Sequence, residues 1–281
     1  MPELPEVETV ARLIRPKLEG RRIEGARVRW KPTVGGDVAR FRRRVAGATV
    51  ARVWRRAKYL IFDLERAGAP AGCIVGHLRM TGRMHVEDPA WDAGAHGQVA
   101  LPLDDGRVFH FIDVRKFGRL VWGAEPADVL APLGPEPMGD EFTVDWFAAE
   151  LRRRRRMLKP LLLDQSFLAG LGNIYVDEAL HRSGLHPLRR SDRVPRAKAA
   201  QLHGEIRATL AEAIEREGSS FDAFYRTPEG QPGSYQHQFL VYGRDGLPCR
   251  TCGRTIEKIV VGQRGTHLCR RCQPVPRARR D

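Results

Sequence analysis

The chain has no apolar run approaching the roughly 20 residues that a membrane-spanning helix needs, and its opening residues show no cationic stretch followed by an apolar segment. Membrane insertion and secretion are therefore not expected. Cysteine is scarce, with five in 281 residues, and four of these fall in two CxxC pairs. That usage argues against a disulfide framework and suits a reducing, cytoplasmic setting with a metal site. Cys73, alone in an apolar segment, reads as a small buried hydrophobe. Acidic residues are too few to balance the basic ones: 34 Asp+Glu against 48 Lys+Arg leave a net charge of +14. Such an excess nominates a polyanionic partner. An apolar content of 42% is ordinary, and the length allows two globular domains.

Val7, Val10, Ile14 and Leu18 recur at the spacing of one buried helical face, so a helix is expected over Glu6 to Leu18. From about Arg22 to Gly123 the pattern becomes short runs of strand character: RVRW, TVARVW, KYLIFDL, CIVGHLRM, QVALPL, RVFHFIDV and RLVWG. Asp-Gly in LPLDDGRVFHF predicts a hairpin. Repeated antiparallel strands after one leading helix suggest a β-sandwich or flattened barrel. APLGPEPMGDEF interrupts all periodicity and reads as a linker. Helical segments follow: VDWFAAELRRRRRM, KPLLLDQ, IYVDEALHRSG after a turn at AGLGN, and a long one from about Pro195 to Glu217. The expected class is α+β in two domains, divided as 1–131, a linker at 132–141, a helical module at 142–235 and a finger at 236–281. The run Arg152 to Arg156 wraps around its helix and is read as mostly solvated. Gly218 to Tyr235 is rich in turn formers and reads as a mobile loop.

Three groups of residues could carry chemistry. Cys249-x2-Cys252 and Cys269-x2-Cys272 provide four thiolates on two knuckles, the donor set of a structural zinc with no position open to water. The intervening hairpin carries Lys258, Arg264, Arg270 and Arg271, which suits a phosphate-contacting finger, although zinc ribbons also mediate protein contacts. AGLGNIYVDEAL brings glycines to a helix N-terminus, where Asn173 is expected to cap the helix or donate to a phosphate. His77, Arg79 and Met80 in GHLRMTG, and Arg115, Lys116 and Phe117 in DVRKFGR, place cationic beside large apolar side chains at strand ends. Such residues either belong to the core or act as wedges that fill the space left by an extruded base.

The first residues, MPELPEVETV, pose a separate problem. Pro5, Glu6 and Glu8 suit a helix entrance, but Pro2 and Glu3 precede the regular helix. Removal of Met1 would expose a secondary amine of pKa about 8, lowered further by the helix N-terminus, able to attack a carbonyl-level carbon.

Taken in order, PELPEVETV, RRAKYL, GHLRMTGR, DVRKFG, LLDQSFLAGLGNIYVDEAL and VYGRDGLPCRTCG with CRRC resemble bacterial formamidopyrimidine-DNA glycosylase over almost the whole chain. The resemblance implies an N-terminal β-sandwich with a leading helix, a helix-two-turns-helix module and a C-terminal four-cysteine zinc finger holding one structural zinc and no organic cofactor. It implies a monomeric enzyme of the bacterial cytoplasm and nucleoid that acts on damaged double-stranded DNA, excises oxidised purines and then cleaves the strand at the abasic site. It further implies that Pro2 is the nucleophile, Glu3 the general acid, Glu6 its support and Lys58 a phosphate-binding lysine and proton donor. His77, Asn173, Tyr242 and Arg264 match positions that grip phosphates, and Arg264 is counted with the catalytic set as well. Met80, Arg115 and Phe117 match residues that fill the void and meet the orphaned cytosine.

The family usually reads RRGKYL where Ala57 stands here, and the stretch from Val28 to Val50 is compact. The sister class, endonuclease VIII, usually begins PEGPE and prefers oxidised pyrimidines; Leu4 and the intact DVRKFG favour the purine branch. A non-catalytic zinc-finger DNA-binding protein would have no need of Pro2, Glu3 and Lys58.

Overall fold

The computed structural model describes residues 1–130, 132–221 and 225–275, and the chain divides into two units. The first comprises Met1–Ala131 with Arg216–Ser234, and the second Pro132–Glu215 with Tyr235–Asp281. The expected end of the first domain at residue 131, part of the loop expected over Gly218 to Tyr235, and the tail beyond 275 lie outside the described residues. Among the described residues no helix is long and apolar enough to cross a membrane.

The first unit opens with α1 (Leu4–Leu18), which buries Val7, Val10, Ile14 and Leu18 as the spacing requires. Strands β1 (Arg27–Val28), β2 (Thr49–Arg56), β3 (Tyr59–Arg66), β4 (Ala69–His77), β5 (Gly82–Glu87), β6 (Gly97–Pro102), β7 (Val108–Asp113) and β8 (Arg119–Gly123) form two antiparallel four-stranded sheets. Their orders are β1-β6-β7-β5 and β2-β3-β4-β8, which is a sandwich. Phe62, Leu64 and Ile74 from one sheet and Val99, Leu101, Phe109 and Phe111 from the other fill the same core with the apolar face of α1. Asp-Gly falls between β6 and β7 as expected, with Gly106 at φ 86°. Cys73 is buried, and burial with Asp63 nearby pushes its thiol up to about 11.

Two elements differ from the sequence reading. A short helix, α2 (Val38–Val45), lies in the compact stretch, capped by Asp37, whose side chain accepts from Arg40 N, and buried through Phe41 and Val45. CIVGHLRM ends as a strand at His77, and a separate β5 begins at Gly82. Residues 216–234, expected with the helical module, pack on the first unit. Ser219 N donates to Glu6 Oε1 at 2.8 Å, and the Pro228 carbonyl meets His85 Nδ1 at 2.9 Å. Gly218 is required at φ +78°, where a Cβ would sit 2.8 Å from Glu6.

The second unit contains α3 (Val144–Arg154), α4 (Leu158–Leu162), α5 (Asn173–Arg182), α6 (Arg196–Glu215) and a hairpin of β9 (Glu257–Val261) and β10 (Arg264–Leu268). Thr143 caps α3 through Trp146 N, and Arg155 ends it in the left-handed conformation. Glu150 binds Arg153 and Arg154, and Asp164 binds Arg156, so three of the five arginines are paired at the surface while the run keeps a net positive charge. Gly262 and Gln263, both at positive φ, make the tight turn between β9 and β10.

Candidate active site and zinc finger

In the first unit the chain terminus is held by a reciprocal capping box. Glu3 N donates to Glu6 Oε2 at 2.8 Å, and the Glu3 side chain accepts from the Glu6 amide. Pro2, Glu3 and Glu6 are all buried. Glu6 therefore braces Glu3 with one oxygen and the root of the 216–234 segment with the other. One turn along α1, Glu8 accepts from Arg55 at 2.8 Å, and Arg55 Nη1 reaches the Ala57 carbonyl at 3.0 Å. Burial raises the Glu8 carboxyl, but Arg55 and then Arg12 outweigh it and hold the group below the usual carboxylate range.

Those bonds tie α1 to the two-residue turn that presents Lys58, between Arg56 and Tyr59. Ala57 takes φ 53°, the left-handed region that glycine fills without strain; for an L-residue it costs about 1–2 kcal/mol. The glycine of the usual pattern thus has a conformational reason, and alanine here carries strain beside a buried lysine.

Tyr59 pairs with His77 across β3 and β4, which brings Lys58 beside the end of β4. His77 Nδ1 accepts from Arg79 N at 2.9 Å, so the ring proton belongs on Nε2 and a neutral donor is presented. Burial, then Arg79 and Lys58, push its pKa down to about 3. Because the folded value lies below the ordinary one, the unfolded chain binds the extra proton between about pH 6.5 and 3, and folding stability drops as the pH is lowered through that window. Burial lowers His85, His110 and His186 as well. Denaturant unfolding at pH 7 and pH 5 is expected to show a loss of about 1–2 kcal/mol from His77 alone, and a shallower dependence in His77→Gln.

Met80 and Phe117 are 38% and 50% exposed, so neither belongs to the core. Arg115 joins them: its Nη1 donates to Met80 Sδ and its guanidinium lies 4.8 Å from the Phe117 ring centre. The clamp beneath them is Asp113, a residue the sequence reading passed over. It accepts from Thr81 Oγ1, Arg115 N and Gly118 N, stapling the β4–β5 loop to the β7–β8 loop. Arg79 and Lys116, at φ 54° and 59°, hold those loops in strained turns. Met1, Arg79, Met80, Phe117 and Arg119 line one open cleft of about 370 Å³, which places the chain terminus at the mouth of this cluster.

In the second unit, Gly172 and not Asn173 caps α5; Asn173 is its first helical residue and donates through Nδ2 to the Gly265 carbonyl at 2.9 Å. The same face of α5 continues with Asp177, which binds Lys159 Nζ at 2.7 Å and the His267 amide at 2.9 Å. Lys159 also donates to Thr266 Oγ1 and the Gly265 carbonyl, and both members of the ion pair have fully buried side chains. Glu178 accepts the amides of Leu240, Val241 and Tyr242. Burial raises its carboxyl, and the three amides and Arg182 oppose that rise. Tyr242 is thereby fixed, its ring edge-on to His267 at 4.9 Å, and Arg264 stands exposed at the start of β10. Lys159, Asp177 and Glu178 went unread because buried charges carry no mark in sequence. For Asp177 alone a signal was available, the polar stripe of Asn173, Asp177 and His181 at every fourth residue of α5.

The four cysteine sulfurs lie within 4.8 Å of one another, with Cys252–Cys269 at 3.4 Å and Cys249–Cys272 at 3.9 Å. Tetrahedral thiolates about 2.3 Å from zinc stand about 3.8 Å apart, so the donors fit one structural zinc with no coordination site left over. One equivalent of zinc is expected by metal analysis, and chelation is expected to melt β9 and β10 by hydrogen exchange. A metal-free protein with the hairpin intact contradicts the assignment.

The sandwich, the helical unit and the four-cysteine finger together define a two-domain α+β protein with a four-cysteine zinc finger. Family models agree segment by segment: the formamidopyrimidine-DNA glycosylase N-terminal domain over residues 1–120, its H2TH domain over 133–224, and the zinc finger found in FPG and IleRS over 246–275. The formamidopyrimidine-DNA glycosylase of Xanthomonas campestris pv. campestris (strain B100) is 41% identical over 97% of this chain and 100% of its own length. That of Herpetosiphon aurantiacus is 44% identical with the same coverage of both chains. The crystal structure of the MutM (Fpg) protein of Thermus thermophilus matches with a TM-score of 0.86 at 41% identity, covering 97% of this chain and 98% of that one. Wild-type Lactococcus lactis Fpg, in complex with DNA containing N7-benzyl-Fapy-dG, matches with a TM-score of 0.89 at 33% identity, covering 98% and 100%. The chain belongs to the formamidopyrimidine-DNA glycosylase family.

Proposed function

We propose that the protein is a bifunctional glycosylase and abasic-site lyase that removes oxidised purines, 8-oxoguanine and formamidopyrimidines, from double-stranded DNA. The observation that carries this reading is the chain terminus at the Arg79–Met80–Phe117 cleft, with Glu3 in a capping box beside it. Once Met1 is removed, the Pro2 nitrogen attacks C1′ of the extruded nucleotide and the base departs with a proton. Glu3 protonates the ring oxygen, which opens the sugar and leaves an iminium between Pro2 and C1′. The fixed positive charge acidifies the C2′ proton; its loss expels the 3′ phosphate, and a second elimination expels the 5′ phosphate. Lys58 supplies a proton donor at the buried turn, braced from α1 through Arg55.

Neutral His77 donates through Nε2 to a phosphate, while Asn173, Tyr242 and Arg264 supply contacts from the second unit. Asn173 keeps a second amide hydrogen for that purpose beyond the one given to Gly265. Met80, Arg115 and Phe117 fill the stack where the nucleotide leaves, with Arg115 on the orphaned cytosine. The protein acts as a monomer on the nucleoid. A cleavage assay comparing duplexes bearing 8-oxoguanine and an oxidised pyrimidine tests the reading: faster nicking of the purine lesion is expected, and preference for the pyrimidine would assign the endonuclease VIII specificity instead.

A further inference from the structure

Asn173, Asp177 and His181 recur at every fourth residue of α5, so their side chains form one stripe along the helix. The first two bind the β10 strand, through the Gly265 carbonyl and the His267 amide. The third meets the metal site: buried His181 places Nε2 3.6 Å from Cys249 Sγ, a hydrogen-bonding distance for a sulfur acceptor. Its other ring nitrogen, Nδ1, is buried with no hydrogen-bond partner among the described residues.

These facts select a tautomer. With the proton on Nδ1, a buried donor would go unmet and the Nε2 lone pair would face a thiolate. With the proton on Nε2, the N–H points at the sulfur and only an acceptor is left unmet. A zinc held by four thiolates carries a net charge of about −2, so a donor at sulfur is doubly favoured.

We propose that His181 is a positioning residue of the zinc centre, donating Nε2–H to the Cys249 thiolate and so setting how tightly the finger keeps its metal. The hydrogen bond withdraws charge from the sulfur, which makes it a poorer nucleophile toward oxidants and a less ready partner for competing protons. It also fastens the first knuckle to the helix whose other end orients β10.

The test uses the full-length zinc-loaded protein and needs no turnover. In His181→Phe, zinc transfer to 4-(2-pyridylazo)resorcinol is expected to accelerate about tenfold or more, the usual scale for loss of such a partner. The cobalt-substituted variant should show its sulfur-to-metal charge-transfer band at lower energy. His181→Gln, whose amide nitrogen reaches nearly the same point, is expected to restore both readings to within about twofold of the parent protein. Equal release rates and bands in the Phe variant, or a Gln variant as labile as the Phe variant, overturn the proposal. Should the Phe variant not fold, the parent protein loaded with cadmium-113 decides the matter. A scalar coupling between the metal and the His181 Nε2 proton is expected, and its absence overturns the proposal.

Discussion

Pro2→Gly, with Met1 removed, is expected to bind lesion-containing duplex with affinity close to that of the parent protein and to lose base excision by on the order of a hundredfold or more, the scale on which one catalytic group acts. Glycine keeps an amine at the terminus, but a primary one: its Schiff base can shed a proton, whereas a proline iminium has none to lose and stays cationic. The substitution also frees the backbone torsion that proline fixes just before the capping box. Binding should survive because the groups proposed to face phosphates, His77, Lys58 and Arg264, lie on other elements. Single-turnover excision of 8-oxoguanine opposite cytosine, with affinity measured separately, checks both halves. Undiminished turnover would mean that another group is the nucleophile.

The largest expected effect on stability is at Lys159. Replacing it by alanine strands Asp177 as an uncompensated charge where both side chains are 0% exposed, at a cost of about 3–5 kcal/mol. It also removes the donor to Thr266 and Gly265, so the damage falls on β10, the strand that begins with Arg264. Hydrogen exchange of the β10 amides should rise sharply. The paired change Lys159→Met with Asp177→Leu is expected to recover much of the loss, leaving mainly the His267 amide without its acceptor, at about 1–3 kcal/mol. A Lys159→Ala protein with unchanged exchange would show that the pair does not anchor the finger.

Much of this architecture was legible in the residues. The alternation of QVALPL and RVFHFIDV with Asp-Gly between them is a hairpin in any context, and two CxxC knuckles leave few chemistries other than zinc. What escaped has a common cause. The α2 helix is eight residues long and half arginine, so its Val38, Phe41 and Val45 spacing was lost in the charge. GHLRMTGRMHVE runs on as one alternating stretch, and only Asp113, drawing Thr81 toward Arg115 and Gly118, shows where the chain turns. Asp113, Lys159, Asp177 and Glu178 look like surface charges until their partners are known, and those partners lie from two to more than a hundred positions away. Position 57 was the reverse case: the departure from glycine was visible at once, and its meaning came only with a backbone angle.

The central claim is that the chain terminus itself becomes covalently joined to the damaged nucleotide. The most direct measurement incubates the protein, shown by mass to begin at Pro2, with an 8-oxoguanine·cytosine duplex and borohydride, which reduces an iminium to a stable amine. A cross-linked species whose N-terminal peptide carries the DNA is predicted; a protein that excises the base while leaving no such adduct would contradict the account.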